Sequence, residues 1–260
     1  MADGGDAPSH RGRIFDYPLP VEGRLLIRSQ MNARGDRPHD ELKTPRTTVQ
    51  RKPDRGSNDF AVMKSILDEA VYCHVGFVLD GQPYVVPTGF GREGRTLYIH
   101  GSSASRMLRA LSGGLPVCVT VTLLDGLVLA RTAFHHSINY RSVMVLGVAH
   151  PLDGEEKLRG LRAITGHMVR GRWEDVRPPT EQELKATSVL RLEIDEASAK
   201  VRRGFAIDEG DDLSLPYWAG VVPFALVAGD PIPEPRLRPD IALPPYLAGY
   251  SRPQDGGGDA

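Results

Sequence analysis

The stretch from Val71 to His150 constrains this chain more than any other. Apolar, β-branched segments recur there, and tight-turn residues cut them short. VYCHVGFVL (71–79) stops at Asp80-Gly81, a hairpin signal. PYVVPTGFG (83–91) returns, and its Pro87 marks an edge or a bulge. Arg92-Glu93-Gly94-Arg95 turns the chain into TLYIH (96–100). VCVTVTLL (117–124) meets a further turn signal at Asp125-Gly126, before GLVLARTAF (126–134) and YRSVMVLGVAH (140–150). Most of these connections are too short for crossover helices. They predict a mainly β fold, a six-stranded antiparallel barrel, rather than a parallel α/β sheet.

Helices are expected around this barrel. Ser57, Asn58 or Asp59 can cap a first one, with Val62, Ile66, Leu67 and Ala70 on one face. GSSASRMLRALSGG (101–114) reads as a loop feeding a short helix that ends at Gly113. Leu158, Leu161, Ile164 and Met168 recur at helical spacing, and Thr180 with Glu183 forms a capping box. Two more strands follow, 188–195 and 198–204. Residues 1–45 lack periodicity and read as a disordered extension; 46–230 form the barrel domain; 231–260 are a Pro- and Gly-rich tail.

Composition narrows the function. The chain of 260 residues carries 32 basic and 33 acidic side chains, so it is not built as a nucleic-acid clamp. The apolar run 115–124 is far short of the ~20 residues a membrane helix needs. The first residues show no secretory h-region, and two cysteines, Cys73 and Cys118, cannot make a disulfide framework. A cytoplasmic protein is expected.

The segment LYIHGSSASRMLRAL (97–111) holds the clearest chemistry. A strand ends at His100, and three hydroxyls then precede Arg106 in the first turn of a helix. Backbone N–H groups, hydroxyls and a guanidinium converging on one point make a phosphate cradle. Helix capping alone also accounts for a serine there. Neither G-x-x-x-x-G-K-[ST] nor G-x-G-x-x-G occurs. RTAFHHSINYRSVMVLG (131–147) gathers a second polar cluster. Its adjacent His135 and His136 point to opposite faces of an extended chain, so no metal site is expected from them. No G-x-S-x-G elbow supports a hydrolase.

The order of these segments resembles the pyridoxamine 5'-phosphate oxidase-like split barrels. The branch in view is that of flavin-nucleotide-binding and nitroimidazole-resistance proteins. The resemblance rests on RTTVQRKPDRG (46–56), YCHVGFV (72–78), QPYVVPTGF (82–90), LYIHGSSASRMLRAL, the long run 117–147, RPPTEQELKAT (177–187) and WAGVVP (218–223). It implies a homodimer of split barrels with FMN in two clefts between the subunits. It places the FMN phosphate on Ser102, Ser103, Ser105 and Arg106, and the ring beside Val86, Pro87 and Thr88. Arg141 and Ser142 stand where the oxidase branch has an Arg-Gln pair, although serine cannot make the amide contact. Trp218 joins this set through the WAGVVP segment.

The implied activity is hydride transfer through FMN to a small substrate, with His100 or Tyr140 as proton donor. The basic and aromatic C-terminal set that grips pyridoxal phosphate is missing, which argues against a vitamin B6 oxidase. Relatives on this barrel also bind haem or F420. In a haem protein His100, His135 or His136 becomes the axial ligand. A third reading is a regulatory module that does no chemistry, with Arg46, Arg51, Lys52 and Arg55 on phosphates. Neither nucleic acid nor membrane is an expected partner.

Overall fold

The computed structural model describes residues 42–252. Most of the expected N-terminal extension and the tail residues 253–260 lie outside the described residues. Ten strands form one antiparallel sheet among the described residues: β1 (Gly56–Ser57), β2 (Tyr72–Leu79), β3 (Gln82–Glu93), β4 (Thr96–Ser102), β5 (Pro116–Leu129), β6 (Ser137–Val148), β7 (His150–Pro151), β8 (Thr187–Glu193), β9 (Glu196–Arg202) and β10 (Gly220–Pro223). Their order is β1-β9-β6-β5-β2-β3-β4-β8-β7, and β10 lies beside β5. The sheet curls until Gly147 of β6 meets the side chain of Leu192 on β8, which closes the barrel.

Alternation builds the core. Cys73, Val75 and Phe77 of β2 point inward, as do Val117, Val119 and Val121 of β5 and Val143 and Val145 of β6. Helix α1 (Phe60–Glu69) plugs the barrel with Met63, Ile66 and Leu67, and the Asp59 carboxylate caps it by accepting from Ala61 N at 2.8 Å. Helix α2 (Arg106–Ser112) follows β4. Helix α3 (Gly154–Met168) packs outside on β3 and β4, and α4 (Glu181–Ala186) carries the capping box read from Thr180 and Glu183. None of the helices in the described residues is long and apolar enough to cross a membrane.

Asp80-Gly81 makes the expected hairpin, with φ of 53° and 78°. Asp125-Gly126 does not turn the chain. Strand β5 runs through it, and the register against β6 shifts between Leu124 and Gly126. The segments read as two strands are therefore one, with a bulge at Asp125. The reason is tertiary. β10 pairs with β5 on its far side, and a Cβ on Gly126 would stand 2.6 Å from the Val222 carbonyl oxygen. The glycine serves this close approach instead of a turn. Ahead of α1, Leu42 is buried in the core and the Thr44 hydroxyl donates to Glu196, so the fold takes in residues before Arg46.

Candidate functional site

The barrel is split between β3 and β4. These strands pair only from Phe90–Glu93 against Thr96–Ile99. Continued in register, Gly89 would face His100, Thr88 would face Gly101 and Pro87 would face Ser102. Instead His100, Gly101 and Ser102 pair with Val189, Ser188 and Thr187 of β8. Val86, Pro87 and Thr88 pair with β2 alone. Proline cannot donate to a ladder, so Pro87 belongs on this open edge. The two strands diverge into a mouth, and its walls are the two segments singled out for a cofactor.

The turn after β4 is tightly built. Ser105 N donates to Ser102 O at 2.9 Å, and Ser103 N donates to Ala186 O at 2.9 Å. The Ser102 Oγ accepts from Ala104 N at 3.2 Å, and the Ser105 Oγ caps α2 by accepting from Leu108 N at 3.4 Å. Two of the three hydroxyls thus hold the turn in shape. The exposed Arg106 guanidinium lies over the Tyr84 ring, 5.8 Å from its centre, and Tyr84 in turn stacks on Phe77 at 5.4 Å. Among the described residues no carboxylate pairs with Arg106. Its position is fixed from below by an aromatic face. Tyr84 was not singled out in the sequence; its alternation with Val86 and Thr88 on one face of β3 was the available signal.

His100 lies on the stretch of β4 that parts from β3. Its Nδ1 is buried with no hydrogen-bond partner among the described residues, and burial lowers its pKa, keeping the ring neutral. A neutral imidazole is the form that binds iron. His136 is committed otherwise: its Nδ1 accepts from Ala130 N at 2.9 Å. That leaves the proton on Nε2 and no lone pair there for a metal. His135 lies edge-on to the exposed Phe134. Of the three histidines read as axial ligands, His100 stands at the cradle with an uncommitted ring nitrogen.

The remaining candidates sit elsewhere. The Arg141 guanidinium is forked between Asp125, with bonds of 2.8 to 3.2 Å, and Glu69, at 2.5 and 2.9 Å. Burial opposes its charge, but those bonds and charges more than reverse this and hold it protonated. It ties α1 to the β5 bulge. Ser142 Oγ donates to Lys200 O at 3.3 Å. Tyr140 lies within β6 opposite Arg202, and among the described residues no contact joins it to His100. Trp218 is exposed, and its ring lies over Gly220, where a Cβ would be 2.7 Å away. Burial pushes the Cys73 thiol up to about 12, which makes it inert. No cluster of three His, Cys, Asp or Glu side chains that could hold a bare metal ion occurs among the described residues.

The fold and its mouth define a split barrel with a hydroxyl-rich turn at its open edge. The family model for pyridoxamine 5'-phosphate oxidase matches residues 61–201. A flavocytochrome from Azotobacter vinelandii is 41% identical, with a TM-score of 0.76 over 80% of this chain and 98% of that one. An FAD and haem binding protein from Mycobacterium smegmatis is 38% identical, with a TM-score of 0.73 over 76% of this chain and 98% of that one. A candidate 5-nitroimidazole antibiotic resistance protein from Bacteroides thetaiotaomicron is 30% identical, with a TM-score of 0.46 over 55% of this chain and 84% of that one. Among curated proteins nothing matches the chain. The chain belongs to the pyridoxamine 5'-phosphate oxidase family.

Proposed function

We propose that this protein is a flavin- and haem-carrying redox protein that works as a homodimer. The observation that carries the reading is the mouth between β3 and β4. It holds a guanidinium with no carboxylate partner among the described residues, on a hydroxyl-rich turn, and beside that turn in β4 a histidine whose buried ring nitrogen has no partner among them either. A buried polar atom without a partner costs about 1–3 kcal/mol, and the described residues leave the His100 Nδ1 in that state. The relatives that share 41% and 38% of its residues are a flavocytochrome and an FAD and haem binding protein. The second name supports FAD in place of the FMN expected from the sequence, and the two together support reading flavin and haem as partners on one protein.

Ser103 and Arg106 bind the flavin phosphates, with Ser102 and Ser105 keeping the turn in shape. Val86, Pro87 and Thr88 form the opposite wall and exclude water from it. His100 is the iron ligand, and its depressed basicity keeps a lone pair available at neutral pH. When bound, flavin supplies two-electron and one-electron exchange, and haem one-electron exchange. The substrate is a small molecule that reaches this mouth.

Dimerisation is supported by apolar surface that no monomer needs. Phe205, Trp218, Leu226, Val227 and Ile232 are all exposed, Ile232 at 92%, along a C-terminal arm anchored to the barrel through β10. Sedimentation of the full chain should give twice the monomer mass.

The absorption spectrum of the purified protein, followed by titration with FAD, FMN and haemin, tests the cofactor reading. Flavin bands near ~370 and ~450 nm and a Soret band near ~400 nm are expected together. Arg106→Ala should weaken flavin and spare haem; His100→Ala should remove the Soret band and spare flavin. A protein that takes up neither cofactor overturns the reading.

A further inference from the structure

A cleft lies at the opposite end of β4 from the hydroxyl-rich turn. The seven residues of β4 separate the two by ~20 Å along the strand. This cleft has a volume of about 1030 Å³ and lies between the end of α1, the outer face of α3 and the chain segment 246–252. That volume is at the upper end of the range of ligand pockets, ~300–1,000 Å³.

Its charge is lopsided. Lys64, Arg92, Arg159, Arg162, Arg170 and Arg252 line it, against Asp68 and Glu93. The carboxylates do not neutralise this set. Asp68 is shared between Lys64 at 3.0 Å and Arg92 at 2.6 Å. Glu93 holds Arg159 at 2.7 Å, and Glu174 holds Arg162 at 2.6 Å. Arg170 has no ion-pair partner among the described residues. Arg252 donates to the carbonyls of Asp68 at 2.7 Å, Glu69 at 2.9 Å and Ala70 at 2.6 Å, and also to the carbonyl of His167. Carbonyls orient a guanidinium without cancelling its charge. A concave surface carrying surplus cations focuses their field on an anion.

Two aromatic rings sit in the same wall. The Tyr246 hydroxyl donates to Asp175 at 2.5 Å, and the Tyr250 hydroxyl donates to Met168 O at 2.6 Å. Their polar ends are committed, so what they offer a ligand is ring surface. Surplus guanidinium donors fit phosphate oxygens, and fixed aromatic rings fit a flat base.

We infer that the cleft between α1, α3 and residues 246–252 is a binding site for a nucleoside diphosphate group, separate from the cofactor mouth. It stands independently of the flavin and haem reading, because it uses none of those residues.

Calorimetric titration of the full-length protein as purified, with ADP, pyrophosphate and adenosine, tests this. ADP and pyrophosphate should bind and adenosine should not, and raising the salt should weaken binding. The double variant Arg162→Ala/Arg170→Ala removes two exposed side chains and should fold normally. It should lower ADP affinity by about tenfold or more. Arg106→Ala, at the far mouth, should leave ADP binding unchanged. The inference is overturned if neither ADP nor pyrophosphate binds, or if adenosine binds as tightly as ADP. It is equally overturned if the double variant binds ADP like the parent, or if only Arg106→Ala loses binding, which would place the nucleotide on the flavin turn.

Discussion

Arg141 and Arg106 are both guanidiniums beside the barrel, and they do opposite work. Arg141 lies where α1 meets the β5 bulge, and two carboxylates take up its donors. Arg106 lies at the split mouth, exposed over an aromatic ring, with no carboxylate near it among the described residues. The contrast extends to their surroundings. At the end of α1 these polar groups are satisfied by the chain: Arg92 grips Asp68 with bonds of 2.7 and 2.8 Å, and the His167 ring nitrogen lies 2.8 Å from the Ala70 carbonyl. At the mouth the strands part, and a buried ring nitrogen of His100 has no partner among the described residues. A cation the protein has already paired holds structure together. One it leaves open is kept for something that arrives.

If this division is right, the largest stability losses belong to the closed region. Arg141→Met strands the Glu69 and Asp125 carboxylates beside each other, with 18% and 24% of their side chains exposed. Urea unfolding at pH 7 should show a loss of about 3 kcal/mol. A loss below about 1 kcal/mol would erase the distinction drawn between the two arginines.

The next effect depends on pH. Burial is the main cause that brings the His167 pKa down to about 4, and the nearby Arg252 lowers it further while the bond to Ala70 raises it. Its folded pKa is below the unfolded value of about 6.5, so the unfolded chain binds the proton more readily between those values. The stability His167 contributes is fully present above about pH 6.5, falls as pH drops towards 4, and levels off below that. Between pH 7 and pH 5 its share of the loss should be about 2 kcal/mol. His167→Phe should flatten that part of the profile; an unchanged slope would assign the pH dependence to other groups.

Gly126→Ala probes the seam where the C-terminal arm begins. The added Cβ would press on the Val222 carbonyl, at a cost of about 1–2 kcal/mol. The change should appear as faster amide exchange over 220–223 with the barrel core unchanged. Loss of protection throughout the barrel would mean that β10 is part of its core. The smallest stability effect is expected at the mouth. Arg106→Ala should shift unfolding by less than about 0.5 kcal/mol. Its flavin affinity should nevertheless fall by about tenfold or more, read from flavin fluorescence during titration. A stability loss comparable to that of Arg141→Met would show that Arg106 is a structural residue after all.

Much of this was legible in the sequence because it is local. The Asp80-Gly81 hairpin, the Thr180–Glu183 capping box and the helical spacing of α3 depend on residues within a few positions of each other. Chain geometry alone dictates them. The capped turn at 102–106 was legible for the same reason: Ser102, Ser103, Ser105 and Arg106 are consecutive or nearly so. What failed was non-local. Asp125-Gly126 has the chemistry of a turn, but pairing with β6 and β10 on both sides held the strand straight through it.

The sequence by itself determined a β-rich barrel, its flanking helices and a hydroxyl-rich turn ahead of α2, since short-range sterics and side-chain alternation act over a few residues. It could not sort equal side chains by role. Arg106 and Arg141 have the same chemistry, as do His100 and His136, and only the neighbours brought in from distant segments distinguish them. Glu69 reaches Arg141 across 72 residues, and Arg252 returns across more than 180 to close the cleft between α1 and α3. Those partners decide which donors are spent inside the protein and which remain for a ligand, because a hydrogen bond depends on where two groups end up in space rather than on their separation along the chain.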